Sequence, residues 1–252
     1  MQPEKTDMKI VPLNAERARD IAALHIACIQ TGFISSLGTH FVTALYEAIA
    51  QSDSAFGFMA VEDSDVTGFA AFTTNVSQLY RSVIKRKGWR LALLLAAKMF
   101  SLSRVKKVFE TLAYPMRTRR KVVPAAELLS IAVVPRWRRT GLGTRLVRRG
   151  LANCEQVGVD AVKVLVAADN QPANSLYSKC GFALVDQINS HGIPSNIYQA
   201  QVAEALQLTD LVLQRRRKPA TPTPPVPIRA VDVERPRRRA APKDEASEAT
   251  QR

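Results

Sequence analysis

Leu128-Leu129-Ser130-Ile131-Ala132-Val133-Val134-Pro135-Arg136-Trp137-Arg138-Arg139-Thr140-Gly141-Leu142-Gly143 is the stretch that decides how this chain folds. Its first half is apolar, contains Ile131, Val133 and Val134, and is closed by Pro135. That composition predicts a strand over Glu127–Val134. After Gly143 the apolar residues fall at Leu146 and Leu151, in phase with Leu142. This predicts a helix over Thr140–Val157, ended by Gly158. Where the strand passes into the helix lie Arg138, Arg139, Gly141 and Gly143. Glycine lets the backbone curl tightly and come close to a ligand. The first amides of the helix have no intrahelical partner, and they sit at the positive end of the helix dipole. Such a junction is built to hold phosphate. Arg138 and Arg139 add full positive charge there, so the residues point to a pyrophosphate-bearing cofactor. A helix capped by glycines beneath a basic turn is the plainer alternative for the motif alone. No Gly-Lys-Ser/Thr follows, so this is not a nucleotide-triphosphate loop, and the Gly-x-Gly-x-x-Gly dinucleotide pattern is absent.

Outward from this junction the chain alternates strands and helices. Downstream, Ala161–Ala168 reads as a strand. Gln171–Lys179 reads as a short helix with Pro172 in its first turn. Phe182–Ile188 and Ile197–Val202 read as closing strands around a turn with Gly192 and Pro194. Upstream, Lys9–Leu13 is a short strand. Ala15–Gln30 is a helix behind Asn14, with Ile21, Leu24, His25 and Cys28 on one face. Phe41–Ala50 is a second helix. Ala55–Val61 and Val66–Thr73 form a hairpin over Glu62-Asp63-Ser64-Asp65. The expected class is α/β, a mixed central sheet flanked by helices.

Charge divides the chain more sharply than length does. The 252 residues carry a formal charge of +14, which at first suggests nucleic acid or an anionic membrane. Residues 75–123 hold 13 basic and one acidic residue, and residues 214–252 hold 11 basic and five acidic. The remainder is net −4. The reading is therefore an acidic body over 1–213 that carries a basic helical insertion at 75–123, followed by a disordered tail at 214–252. The tail has seven of the 14 prolines and no glycine or aromatic residue. Such a sequence does not bury enough apolar surface to order itself. Its arginine clusters lack interleaved aromatics, so no specific nucleic-acid partner is expected. Cys28, Cys154 and Cys180 are odd in number and widely spaced, which fits a reducing cytosol and no metal site.

The strand and loop quoted above, with Asp169-Asn170-Gln171-Pro172-Ala173-Asn174-Ser175-Leu176-Tyr177-Ser178-Lys179-Cys180-Gly181-Phe182 downstream, resemble the GNAT superfamily of N-acetyltransferases. The resemblance covers about residues 9–74 and 124–202. It implies the GNAT fold, with a central sheet whose middle strands splay, and acetyl-CoA as co-substrate without a metal. It implies that backbone near Ile131 and Val133 meets pantetheine, and that the loop and helix start at Arg138, Arg139, Thr140, Gly141, Gly143 and Thr144 hold pyrophosphate. Asn170 and Asn174 match positions that hold the pantetheine arm or order its loop. Tyr177 matches the tyrosine that protonates the departing thiolate, a sound role for a phenol beside sulfur. Some relatives place a glutamate base on the strand Val162–Val166, where this chain has Leu165. Glu127 is the expected substitute, with His25 and His191 behind it.

The expected reaction is direct acetyl transfer to a primary amine. The opening stretch Leu24–Tyr46 resembles members associated with surface polysaccharide, so an amino sugar is the first acceptor considered. A protein or peptide amine is the second, and a non-catalytic acyl-CoA-binding module is the rival from another class. The insertion has an apolar piece, Trp89–Phe100, between basic clusters. It suits an anionic membrane surface, the chain body or a second copy of the chain. The expected location is cytoplasmic, at the inner membrane face if the insertion binds lipid.

Overall fold

The computed structural model describes residues 8–29, 33–96, 123–190 and 192–217. The second half of the insertion, the tail from residue 218 and His191 lie outside the described residues, as do the expectations that fall on them. By contacts the chain divides into two units after Lys218, and every described residue belongs to the first.

Seven strands form one sheet in the order β1-β2-β3-β4-β5-β7-β6. They are β1 (Lys9–Pro12), β2 (Ala55–Glu62), β3 (Asp65–Thr73), β4 (Ala126–Val133), β5 (Ala161–Ala167), β6 (Ala183–Ser190) and β7 (Ile193–Gln201). Only β4 and β5 pair in parallel. The helices are α1 (Ala18–Cys28), α2 (Thr39–Ala50), α3 (Val76–Ala96), α4 (Leu142–Gln156), α5 (Gln171–Lys179) and α6 (Val202–Arg217). This is the mixed α/β architecture expected. Most boundaries fall within two or three residues of the pattern.

Two cores lie on opposite faces of the sheet. One gathers Leu142, Leu146, Val147 and Leu151 of α4 with Phe72, Leu128, Val162 and Val164. The other gathers Ile21 and Leu24 of α1 and Val42 and Tyr46 of α2 with Phe69 and Ala71. Gly150 lets α4 come close: a Cβ there would lie 2.1 Å from the Phe72 ring. At α3 the buried residues are Val76, Leu79 and Val83, so the insertion begins as a helix docked on the body. Of its described side chains, Ile84 and Trp89 stay 56% and 75% exposed.

The sequence pattern names no helix at the end of the body, yet α6 runs to Arg217. It therefore continues past residue 213, where the body was expected to end. Arg148 of α4 forms a two-point ion pair with Asp210 of α6 and fastens the two together. Arg215 lies in its last turn, where positive charge complements the helix dipole.

Candidate active site: an opening between two central strands

β4 and β5 pair over only three residues, Ala126↔Val162, Glu127↔Lys163 and Leu128↔Val164. Both strands continue beyond that point without pairing to each other. The cause lies in β4. Opposite β3, Phe72 faces Leu128 and Ala71 faces Ser130, so Leu129 is an extra residue, a β-bulge. A bulge bends its strand and ends regular pairing. Here it turns β4 away from β5 at the point where their ladder stops. The backbone of Ser130–Val133 on one side and of Leu165–Ala167 on the other flanks the opening, and extended backbone there can hydrogen-bond an amide-bearing chain such as pantetheine. Val133 is partly engaged, because its carbonyl accepts from Arg138 Nε at 3.0 Å and from the Cys28 thiol.

At the wide end of the opening, β4 passes through Pro135–Trp137 into α4. Glu62 steadies this passage, accepting from Trp137 Nε1 at 2.8 Å and from Arg136 at 3.0 Å. Arg139 and Gly141 both take positive φ, 63° and 96°. Gly141 is the helix N-cap, and no side chain caps α4. Its first amides therefore remain for a ligand, and this cradle of curled backbone and uncapped amides fits a pyrophosphate. Thr140 spends its hydroxyl on Trp137 O at 2.8 Å. Thr144 is buried and hydrogen-bonds Cys180. Both threonines thus meet this cradle through backbone, not hydroxyl. Gly143 lies close against Leu176 of α5.

The two asparagines order the loop after β5. Asn170 Oδ1 accepts from Ala173 N and caps α5. Asn174 donates to the carbonyls of Ala167 and Asn170 and accepts from Asn196 Nδ2 at 2.8 Å. Asn196, on β7, had no motif to announce it.

Tyr177 is buried on the α4–α5 face beside Phe182 and Tyr198. Burial pushes its phenol well above the usual range, which keeps it protonated and able to act as a proton donor. Cys154 and Cys180 are buried too, and burial lifts both thiols to about 12. Neither is a thiolate nucleophile at neutral pH.

The opposite face is polar where it meets the opening. Glu127 and Lys163 form a buried ion pair at 3.4 Å. Lys163 also donates to Pro124 O at 2.5 Å. Glu127 raises the phenol pKa of Tyr80 on α3, although burial does more. Glu127 therefore sits in the paired part of the ladder, while Tyr177 lies on the other face. His25 Nδ1 lies 2.7 Å from Tyr46 Oη, which lies 2.8 Å from Ser130 Oγ. Burial lowers His25 to about 4. An imidazole held that low is a poor store for an amine's proton, and this weakens its candidacy as the base. Lys163, Tyr46 and Ser130 were not singled out in the sequence, since none carries a motif's chemistry. Among the described residues no group of His, Cys, Asp and Glu is placed to hold a metal.

A family model described as "Acetyltransferase (GNAT) family" matches residues 26–182. A mycothiol acetyltransferase of Nocardiopsis dassonvillei is 36% identical over 63 residues, 25% of this chain and 19% of that protein. The match thus spans about a fifth of that relative's length. An N-acetyltransferase of Staphylococcus aureus Mu50 superposes with a TM-score of 0.52 at 14% identity, covering 78% of this chain and 99% of that one. Arabidopsis thaliana NAA60 in complex with acetyl-CoA gives 0.51 at 14% identity, with the same coverages. At such identities the likeness is one of fold.

Proposed function

The chain belongs to the acetyltransferase (GNAT) family, and on that premise we propose that it is an acetyl-CoA-dependent N-acetyltransferase that acetylates a primary amine of a small molecule by direct transfer. The observation that carries this is the opening beyond Leu128 and Val164, which leads to the uncapped start of α4. In this reading the backbone at Ile131 and Val133 receives pantetheine, and Arg138 to Thr144 receive pyrophosphate. Asn170 and Asn174 hold the loop beside it. Tyr177 gives a proton to the departing thiolate, and Glu127, ion-paired with Lys163, is the side chain that draws a proton from the amine side. The amino-sugar reading of the acceptor rests on the resemblance of Leu24–Tyr46, and a peptide amine is its competitor.

The test is thiol release from acetyl-CoA with glucosamine, spermidine and a peptide with a free N-terminal alanine. Turnover with glucosamine alone supports the amino sugar, and turnover with the peptide alone replaces it. Tyr177→Phe is expected to lower kcat about 100-fold or more, the scale of a lost general acid, with acetyl-CoA binding retained. Binding without turnover on all three amines counts against the proposed acceptor class.

A second reading concerns location. The outer side of α3 sets Ile84 and Trp89 beside the exposed Arg81 and Lys85. Apolar anchors flanked by basic residues suit an anionic bilayer surface at the inner membrane face. Among the described residues no helix is long and apolar enough to cross a membrane. Flotation of the whole chain with vesicles of phosphatidylglycerol should be lost in Ile84→Ser/Trp89→Ser. Equal flotation rejects this face. A sedimentation change in the double variant without lipid assigns it to a second copy instead.

A further inference from the structure

The string His25–Tyr46–Ser130 is not used by the proton donor and acceptor assigned above, yet it is buried, polar and ends at the opening. Its three members come from α1, α2 and β4. His25 is also stacked on Phe69 at 6.3 Å between ring centres, and Tyr46 meets the same ring edge-on. These contacts hold both rings in place. Ser130 is the second residue past the last β4–β5 pair. It is only partly buried, unlike Glu127 and Leu128 earlier on the strand. The bulge at Leu129 is what turns it toward α2.

The string can run either way, since either partner of each pair can donate, and the direction that leaves Ser130 as an acceptor has His25 Nδ1 at its receiving end. His25 is neutral at physiological pH, so its ring has one lone pair to offer. Tyr46 keeps its proton, because burial raises its phenol above the usual range more than the Ser130 hydrogen bond lowers it. With Nδ1 accepting from Tyr46, the Tyr46 oxygen accepts from Ser130, and the lone pairs of Ser130 face outward. His25 Nε2 then carries the ring proton, and it is buried without a hydrogen-bond partner. An attacking amine directs its own lone pair at the thioester carbon. What remains for the protein to hold are its N–H groups, and these need an acceptor.

We propose that Ser130 accepts the hydrogen bond of the acceptor amine's N–H beside the thioester, and that Tyr46 and His25 are the positioning residues that turn its lone pair to that task. This rests on the acetyl-transfer reading above. The string orients the amine and stores no proton. The groups facing His25 from other elements are Tyr46 of α2 and Phe69 of β3, with Cys28 one turn further along α1. None of them is a carboxylate, lysine or arginine.

The test uses the whole chain, acetyl-CoA and the same three amines. Ser130→Ala is expected to lower kcat/KM for the amine about tenfold or more, the rate equivalent of one oriented hydrogen bond. The Kd of acetyl-CoA and the melting temperature should stay near those of the parent. Ser130→Thr keeps a hydroxyl and should retain most activity. Tyr46→Phe and His25→Leu should share the loss, whereas His25→Asn keeps an acceptor near Nδ1 and should recover much of it. The pH profile of kcat/KM should keep its shape in His25→Asn, since the imidazole is no base. Full activity in Ser130→Ala, with the parent active, overturns the proposal. So does loss of the acid limb in His25→Asn. If Ser130→Ala fails to fold, the His25→Leu and His25→Asn pair decides it: equal rates reject the string. An inactive parent on all three amines fails the acceptor reading instead.

Discussion

On the α4–α5 face of the sheet the core is hydrocarbon, sulfur and two tyrosines, among them Phe72, Leu128, Leu146, Cys154, Val164, Tyr177, Phe182 and Tyr198. The polar side chains buried there, Thr144, Asn174 and Asn196, are uncharged and hydrogen-bonded. On the α1–α3 face the same sheet buries His25, Thr73, Glu127 and Lys163 among its apolar residues. The first face offers its polar groups through backbone, at the curled Gly141 and the uncapped amides of α4. The second buries a charged pair, Glu127 and Lys163, and the hydrogen-bonded string His25–Tyr46–Ser130. The contrast teaches where tolerance lies. An apolar core is sensitive to shape, whereas a buried polar group is sensitive to its partner, because an unpaired charge in a dry site has nothing to replace water.

The largest test of that contrast is Lys163→Met. It strands the Glu127 carboxylate in the interior and should cost about 3–5 kcal/mol in chemical denaturation. Lys163→Met/Glu127→Leu should recover most of it. A neutral single variant would show the polar face to be as forgiving as a surface. Next comes pH. His25 titrates at about 4 in the folded chain against 6.5 unfolded. As pH falls below 6.5 the unfolded state takes up the proton first, so stability drains away down to pH 4. The total is about 3 kcal/mol. His25→Asn should flatten that part of the stability profile.

On the apolar face, Gly150→Ala drives a methyl group into Phe72 and should cost about 1–3 kcal/mol through overpacking. A stable variant would mean that α4 is free to slide away from β3. The smallest effect is expected at the surface. The Arg148 hydrogen bond holds the Asp210 carboxyl below its usual range. The pair therefore adds stability above pH 3.8 and loses it as pH falls through the folded value. Both side chains are more than a third exposed, so Asp210→Asn should cost about 0.5–1 kcal/mol, less in high salt.

Much of the fold was legible because periodicity carries it. The run Gln171–Lys179 is the helix residue for residue, since Asn170 caps it and Pro172 suits its first turn. The hairpin β2–β3 was marked by four polar residues, two of which, Asp63 and Ser64, take positive φ. Helix α6 was less legible. It leaves Leu208 and Leu211 exposed, so it lacks a clean apolar stripe, and it is fastened partly by a distant arginine. The curled turn and uncapped start of α4 were readable for the same reason as the helices: a junction of glycines and a helix start is local. Asn174 was readable as a motif position, but its partner Asn196 comes from 22 residues away.

By itself the sequence determined the order of strands and helices from β1 to β7 and the family, because each is carried by neighbours within a few residues. It did not determine which way Ser130 points. Strict alternation along β4 puts Ser130 on the face of Leu128. The bulge at Leu129 moves it to the other face, where Tyr46 and His25 wait, and leaves Ile131 and Val133 packed with the α4 side. One extra residue in one strand both opens the sheet and turns a serine into the opening. Only the pairing of β4 with β3 on one side and β5 on the other decided that, because register is a property of strands together.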